Sequence, residues 1–127
     1  MKKVIISLAL VPLFLAGCST TNEVSSVSGV RDKLADTNWA CDGWEEYEPG
    51  IAATCGLPYG QGTAWVRVTD NPEMFSAVSF DEHLDMEATV IGDNWVYQCR
   101  APLGASDCEY LAGLLDGELI KRGHWSN

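Results

Sequence analysis

The clearest pattern of apolar and polar positions lies in residues 86–100, where side chains alternate as they do in a β-hairpin. Gly92-Asp93 suits a two-residue turn between two strands. Pairing around this turn places one largely apolar set on a single face: Met86, Ala88, Val90, Trp95, Tyr97 and Cys99. A three-residue turn would mix the faces, because successive side chains of a strand point in opposite directions. The pattern therefore predicts a hairpin with one buried and one mostly polar face, and it directs Cys99 into the core.

A helical period replaces this alternation after residue 104. The apolar residues there are spaced at i, i+3, i+4 and i+7, which is one face of a helix: Cys108, Leu111, Ala112 and Leu115. Ser106 and Glu109 have the spacing of a capping box, and Gly117 suits the position after the last turn. The sequence therefore predicts a helix over about 107–116 and a short strand over 118–121.

Two further strands are predicted in the middle of the chain. Residues 63–69 and 75–80 are rich in β-branched and aromatic side chains. Residues 70–73 between them predict a turn, because proline cannot donate to a central ladder. Residues 49–62 contain two prolines and four glycines, and they are predicted to form a loop.

The N-terminal part of the domain is less regular. Residues 30–36 predict a short helix with Val30 and Leu34 on one side and Ser28 as its cap. Residues 39–47 are mixed, and they predict a strand that directs some of its tryptophans inward. Together the elements predict an α+β fold, in which one C-terminal helix packs on an antiparallel sheet of four to six strands. A small β-barrel with a helix is the alternative for the sheet.

The first 18 residues have the composition of an export signal. Lys2 and Lys3 precede an apolar run of about a dozen residues, which is too short for a membrane span of about 20 residues. The run ends in Leu15-Ala16-Gly17-Cys18, which resembles the lipobox of bacterial lipoproteins. The resemblance implies that residues 1–17 are removed, that the Cys18 thiol receives a diacylglyceryl group, and that acyl chains fasten the protein to a membrane.

The resemblance also implies a location outside the cytoplasm. Ser19 follows the lipidated cysteine in place of the aspartate that resembles an inner-membrane retention signal. The outer membrane, facing the periplasm, is therefore expected in a Gram-negative host, and the outer face of the plasma membrane in a Gram-positive one. Residues 18–29 are rich in Ser and Thr and are expected to form a flexible tether, followed by a single globular domain over 30–127.

Four cysteines remain once Cys18 carries lipid, and in an exported chain they predict two disulfides. The favoured pairing is local, with Cys99–Cys108 joining the hairpin to the helix and Cys41–Cys55 closing the loop. The pairings Cys41–Cys99 with Cys55–Cys108, and Cys41–Cys108 with Cys55–Cys99, remain open. No spacing typical of a zinc site occurs.

The charge of the chain excludes some partners. The full sequence has a net charge of −10, and without Lys2 and Lys3 the charge is −12. A domain this acidic repels nucleic acid and anionic lipid headgroups. The glycine-containing loop lacks the G-K-[ST] of a phosphate loop, so no nucleotide is expected, and no cofactor is predicted.

Aromatic residues among carboxylates form the main candidate interaction surface, with Trp44, Tyr47 and Tyr59 as its members, since Trp and Tyr are favoured contact residues. A weaker candidate is a cation site at Asp81, Glu82, His83 and Asp85, although these residues do not match a calcium loop. Neither His83 nor His124 has a partner in a catalytic motif, and no free thiol remains as a nucleophile.

The function that the sequence favours is a non-catalytic binding or interaction module at the bacterial cell envelope. Its partner would be a protein, such as a receptor that it blocks, or an envelope polymer. The alternative is a cation or small-ligand binding lipoprotein that uses residues 81–87, and an envelope hydrolase is the least favoured.

Overall fold

The computed structural model describes residues 22–125, and these form one six-stranded antiparallel sheet with helices on both faces. The strands are β1 (Gly43–Glu48), β2 (Ala52–Gly56), β3 (Thr63–Val68), β4 (Met86–Ile91), β5 (Trp95–Arg100) and β6 (Glu118–Lys121). Their order across the sheet is β1-β2-β3-β5-β4-β6, so β1 and β6 are the edges and the sheet is not a closed barrel. The α+β prediction is confirmed, and the barrel alternative is wrong.

Three α-helices cover the sheet: α1 (Ser28–Lys33), α2 (Pro72–Glu82) and α3 (Ala105–Leu115). Helices α1 and α3 share the larger core with one sheet face, where the side chains of Val30, Leu111 and Trp95 are fully buried. Helix α2 packs against the opposite face on β4 and β5. The prediction of a single C-terminal helix was therefore incomplete, because the sheet buries part of both faces.

The β4–β5 hairpin keeps the predicted faces in a different register. Val90 pairs with Tyr97, where the sequence predicted Trp95, and the Gly92 amide donates to the Trp95 carbonyl at 3.0 Å. The turn is therefore Asp93-Asn94. Both registers keep the same alternation, so Ala88, Val90, Trp95, Tyr97 and Cys99 share one buried face as predicted. A β-bulge beside Met86 moves that side chain into the second core.

Helix α2 replaces the strand predicted over residues 75–80. Asn71 caps it by accepting a hydrogen bond from the Met74 amide at 3.2 Å, and Pro72 occupies the first turn, where its missing amide is harmless. The buried side of α2 includes Ser76 and Ser79, while Met74 and Val78 are exposed. Because serines are buried and apolar residues face solvent, the sequence of α2 lacks the amphipathic pattern from which a helix is usually predicted.

The predicted loop over residues 49–62 also contains regular structure. Strand β2 pairs with both β1 and β3, and Ala52, Ala53 and Cys55 are buried. A 3₁₀ turn (Pro58–Gly60) then leads into β3. The glycines lie at or beyond the ends of β2, so the Gly/Pro-rich composition of residues 49–62 predicted a loop although a short strand lies between them.

The N-terminal segment is part of the domain from residue 22. Val27 is fully buried, its amide donates to the Gly50 carbonyl at 2.9 Å, and Asn94 hydrogen-bonds both the amide and the carbonyl of Val24. Residues 22–29 of the predicted tether therefore belong to the fold. The signal, Cys18 and the remainder of the tether lie outside the described residues.

The helix caps differ from the predicted ones. Helix α3 begins two residues earlier than expected, and Asp107 accepts a hydrogen bond from the Gly104 amide at 3.2 Å, so Ser106 is not the cap. Asp116 takes the left-handed conformation with φ of 55°, and Gly117 follows it. Ser28 is the first residue of α1 and provides no cap hydrogen bond.

Both local disulfides are present. Cys41–Cys55 ties the segment before β1 to β2, and Cys99–Cys108 ties β5 to the first turns of α3. The two alternative pairings are therefore wrong. Between residues 22 and 125, no helix has the length and hydrophobicity needed to cross a bilayer.

Candidate functional site

Tyr59 is the most exposed aromatic residue of the described chain, with 91% of its surface accessible. It stands in the β2–β3 connection, whose base is closed by a hydrogen bond from the Leu57 amide to the Gly62 carbonyl at 2.8 Å. Leu57 is buried, and a side chain at Gly62 would collide with the ring of Pro102. The connection is therefore anchored at its base, while Tyr59 projects from it into solvent.

The backbone of Tyr59 is strained. Its φ of 61° lies in the left-handed region, which costs a non-glycine residue about 1–2 kcal/mol. The ring buries almost no surface, so packing within the domain does not offset this cost. Residues held in such conformations cluster at functional sites. Among the residues of the predicted surface, Tyr59 therefore has the exposure and backbone conformation that the stability of the domain explains least.

Tyr47 belongs to a second surface on the α2 side of the sheet. Its ring meets Trp65 edge-on at 5.8 Å, and the Arg100 guanidinium lies 5.1 Å from the centre of the Trp65 ring. Asp85 pairs with Arg100 at 3.4 Å. Nearby, Arg67 pairs with Glu48 and lies over Phe75. Neither arginine was among the residues predicted from the sequence, although the alternation of β3 places Trp65 and Arg67 on one face.

Trp44 is separate from Tyr47 because the two side chains leave opposite faces of β1. Trp44 is half-buried against the larger core, under the guanidinium of Arg31. Its indole donates to the Glu46 carboxylate at 3.0 Å, as the Gly50 amide does at 2.9 Å. These hydrogen bonds, led by the one from Gly50, lower the pKa of Glu46. The three predicted surface residues therefore form no single patch, and Trp44 has a structural role.

The cation candidates are dispersed around the end of α2. The His83 amide donates to the Ser79 carbonyl, and Asp85 is engaged by Arg100. The Arg122 guanidinium holds this turn by donating to the carbonyls of Phe80, His83 and Met86. Residues 22–125 contain no group of three or more His, Cys, Asp or Glu side chains placed to hold a metal ion.

Carboxylates help to line two of the surface cavities within residues 22–125. One of about 510 Å³ lies at the end of the sheet where α2 begins, and its lining includes Asn22, Glu73, Asp93, Asp116 and Glu118. The other, of about 290 Å³, lies between Phe80, Asp81, Arg122 and Trp125. Histidine lines neither cavity, so neither pairs an imidazole with its carboxylates.

Comparison of the chain with protein-family models, with curated protein sequences and with solved structures gives no significant match.

Proposed function

We propose that this protein is a lipid-anchored, non-catalytic binding module of the bacterial cell envelope that contacts a protein partner through Tyr59. The lipobox-like sequence ending at Cys18 supports the anchor and the location. The disulfides of the domain suit an oxidising compartment. Both features are expected of an envelope protein.

The observation that carries the binding role is the combination of exposure and strain at Tyr59. A tyrosine brings a large, rigid contact surface with few torsions to immobilise, and Tyr is enriched among residues that dominate binding energy. The loop base at Leu57 and Gly62 fixes where this ring is presented. A partner that covers the ring would gain the burial that the free domain lacks.

Site-specific photo-crosslinking tests this proposal. A photoreactive phenylalanine analogue replaces Tyr59 in one variant and Tyr110 in the control, because Tyr110 is also exposed, at 60%, but lies on α3. Crosslinking is performed on intact cells that export the lipidated chain. We expect a discrete ultraviolet-dependent adduct from position 59 and none from position 110.

Competition and digestion make the result specific. In isolated, opened envelopes, excess purified domain should suppress the adduct, whereas the Tyr59→Gly domain should not. If a protease degrades the attached partner, the ligand is a protein, as proposed. If only enzymes that cleave glycan strands degrade it, the ligand is an envelope polymer and the proposal of a protein partner is wrong. Equal adducts from both positions, or none from position 59, would contradict the role of Tyr59.

A further inference from the structure

The first described residue is held at one end of the sheet. The Asn22 amide donates to the Asp93 carboxylate at 2.8 Å, and its carbonyl accepts from the Asp93 amide and the Trp95 indole at 3.0 and 2.9 Å. Its side chain donates to the carbonyls of Leu115 and Asp116. These contacts fix the point at which the chain leaves the domain toward its N-terminus.

The chain between this point and Cys18 is short. Cys18 precedes Asn22 by four residues, which span at most about 14 Å when fully extended. A six-residue strand is about 20 Å long, and the connection that carries Tyr59 lies beyond the far end of β2 and β3. A link of 14 Å is too short to invert the domain, so acyl chains on Cys18 keep the Asn22 end beside the membrane.

The end that holds Asn22 is acidic. Four carboxylates line its cavity, from Glu73, Asp93, Asp116 and Glu118. Nearby, the Lys33 ammonium lies 5.9 Å from the centre of the Trp95 ring and contributes a single positive charge. Anionic headgroups repel such a surface within a Debye length of about 10 Å at moderate ionic strength.

We infer that this acidic end faces the bilayer at close range without inserting, and that the domain therefore presents Tyr59 away from the membrane. The inference rests on the proposed acylation of Cys18. It deepens the proposed function by assigning the lipid surface to one end of the sheet and the protein partner to the other. Because anionic headgroups repel this acidic end, the domain stands on the membrane and does not lie along it.

Paramagnetic relaxation in lipid nanodiscs tests the orientation. The chain from Cys18 onward is coupled through that thiol to a maleimide lipid, since the other four cysteines are in disulfides. Other lipids carry gadolinium at the headgroup. Because the enhancement falls with the sixth power of distance, a separation of about 20 Å should make it more than about tenfold larger for amides 92–94 and 116–118 than for 57–62. The Cys18→Ser chain mixed with the same discs should show no such gradient.

The charge dependence is the second part of the test. Replacing a third of the neutral lipid by anionic lipid should weaken the enhancement at residues 92–94, and the Glu73→Gln/Glu118→Gln variant should reduce this response. Stronger enhancement at 57–62 than at 92–94 would overturn the orientation, and an unchanged enhancement on anionic discs would overturn the repulsion. Chemical coupling makes both results independent of whether cells acylate Cys18, which mass spectrometry decides separately.

Discussion

At the scale of single residues, Tyr59 and Tyr97 are opposite cases. Tyr59 is exposed on a strained backbone, whereas Tyr97 is fully buried and its hydroxyl has no hydrogen-bond partner among the described residues. The sequence placed Tyr97 in the core correctly, because the alternation of the hairpin decides which face it occupies. Tyr59 as a contact residue stays a prediction, and the positive φ at this tyrosine belongs to the closed loop around it and has no local sequence signal.

Replacing Tyr59 by glycine should preserve or raise stability. Relief of the left-handed conformation gains about 1–2 kcal/mol, and the greater unfolded-state freedom of glycine opposes it by about 0.5–1 kcal/mol. We therefore expect Tyr59→Gly to increase the free energy of unfolding by up to about 1.5 kcal/mol in urea titrations. Tyr110→Gly is the matched control and should lose about 1 kcal/mol, because it places glycine inside α3. A comparable loss in both variants would show that the Tyr59 ring stabilises the domain.

The buried hydroxyl of Tyr97 predicts a pH dependence. Burial raises the pKa of Tyr97 above the ordinary value, so the folded domain resists forming the phenolate. The tyrosine of the unfolded chain ionises near its ordinary pKa of about 10, so stability is unaffected below that pH and is lost as the pH rises beyond it.

Tyr97→Phe removes both the titrating group and the unpaired hydroxyl. In a Cys18→Ser background, which has no free thiol to exchange with the disulfides, the variant should match or exceed the parent at about pH 8. Its advantage should grow by about 1 kcal/mol at about pH 10.5, as measured by urea unfolding. An advantage that stays constant between the two pH values would mean that Tyr97 ionises normally in the folded domain.

At the scale of elements, the sequence predicted the helices and strands whose apolar side chains point into one core. The α3 face, β3, β6 and the hairpin face that carries Trp95 and Cys99 follow from such patterns. The opposite hairpin face was predicted to be mostly polar, but Thr89, Val96 and Gln98 on it are buried. The disulfides follow from placing Cys99 and Cys108 on facing surfaces. Helix α2 escaped prediction because its buried side is partly polar. Gln98 donates to the Ser79 hydroxyl at 2.8 Å, and Ser76 hydrogen-bonds Thr89 at 3.0 Å. Hydrogen bonds between helix and sheet replace part of the apolar contact there.

The Cys99–Cys108 bridge is predicted to stabilise the packing of α3 on the sheet. Both cysteines are fully buried, and the bridge closes a sequence separation of nine residues. The chain-entropy estimate for a loop of this size is about 2.5–3 kcal/mol. Cys99→Ala/Cys108→Ala should therefore lower the free energy of unfolding by about 3 kcal/mol or more, since alanine also leaves space in the core.

The Cys41→Ala/Cys55→Ala variant is the matched control for this measurement. It removes a bridge of sequence separation 14 that ties down β1 and β2. Protection of α3 amides from hydrogen exchange should fall further in the Cys99/Cys108 variant than in this control. Equal loss of α3 protection in both variants would mean that the two bridges stabilise one cooperative unit, and not separate elements.

At the scale of the whole molecule, charge and aromatic surface are distributed unevenly. Five cations of the described domain lie over aromatic rings, at 5.1–5.9 Å from the ring centres: Arg31, Lys33, Arg67, Arg100 and Arg122. Arg31, Arg67 and Arg100 also pair with carboxylates. The remaining acidic residues therefore dominate the exposed charge of a chain whose net charge is −10. This surface favours solubility and the standing orientation on a membrane.

The central claim is that Cys18 is the acylated first residue of an exported, oxidised domain. Intact-mass and fragmentation spectrometry of the protein from the cells that make it tests this claim directly, with the Cys18→Ser chain as the control. We expect a chain that begins at Cys18, carries a diacylglyceryl group on its thiol and has Cys41, Cys55, Cys99 and Cys108 oxidised. A chain that retains Met1, with Cys18 unmodified and the other cysteines reduced, would contradict the account.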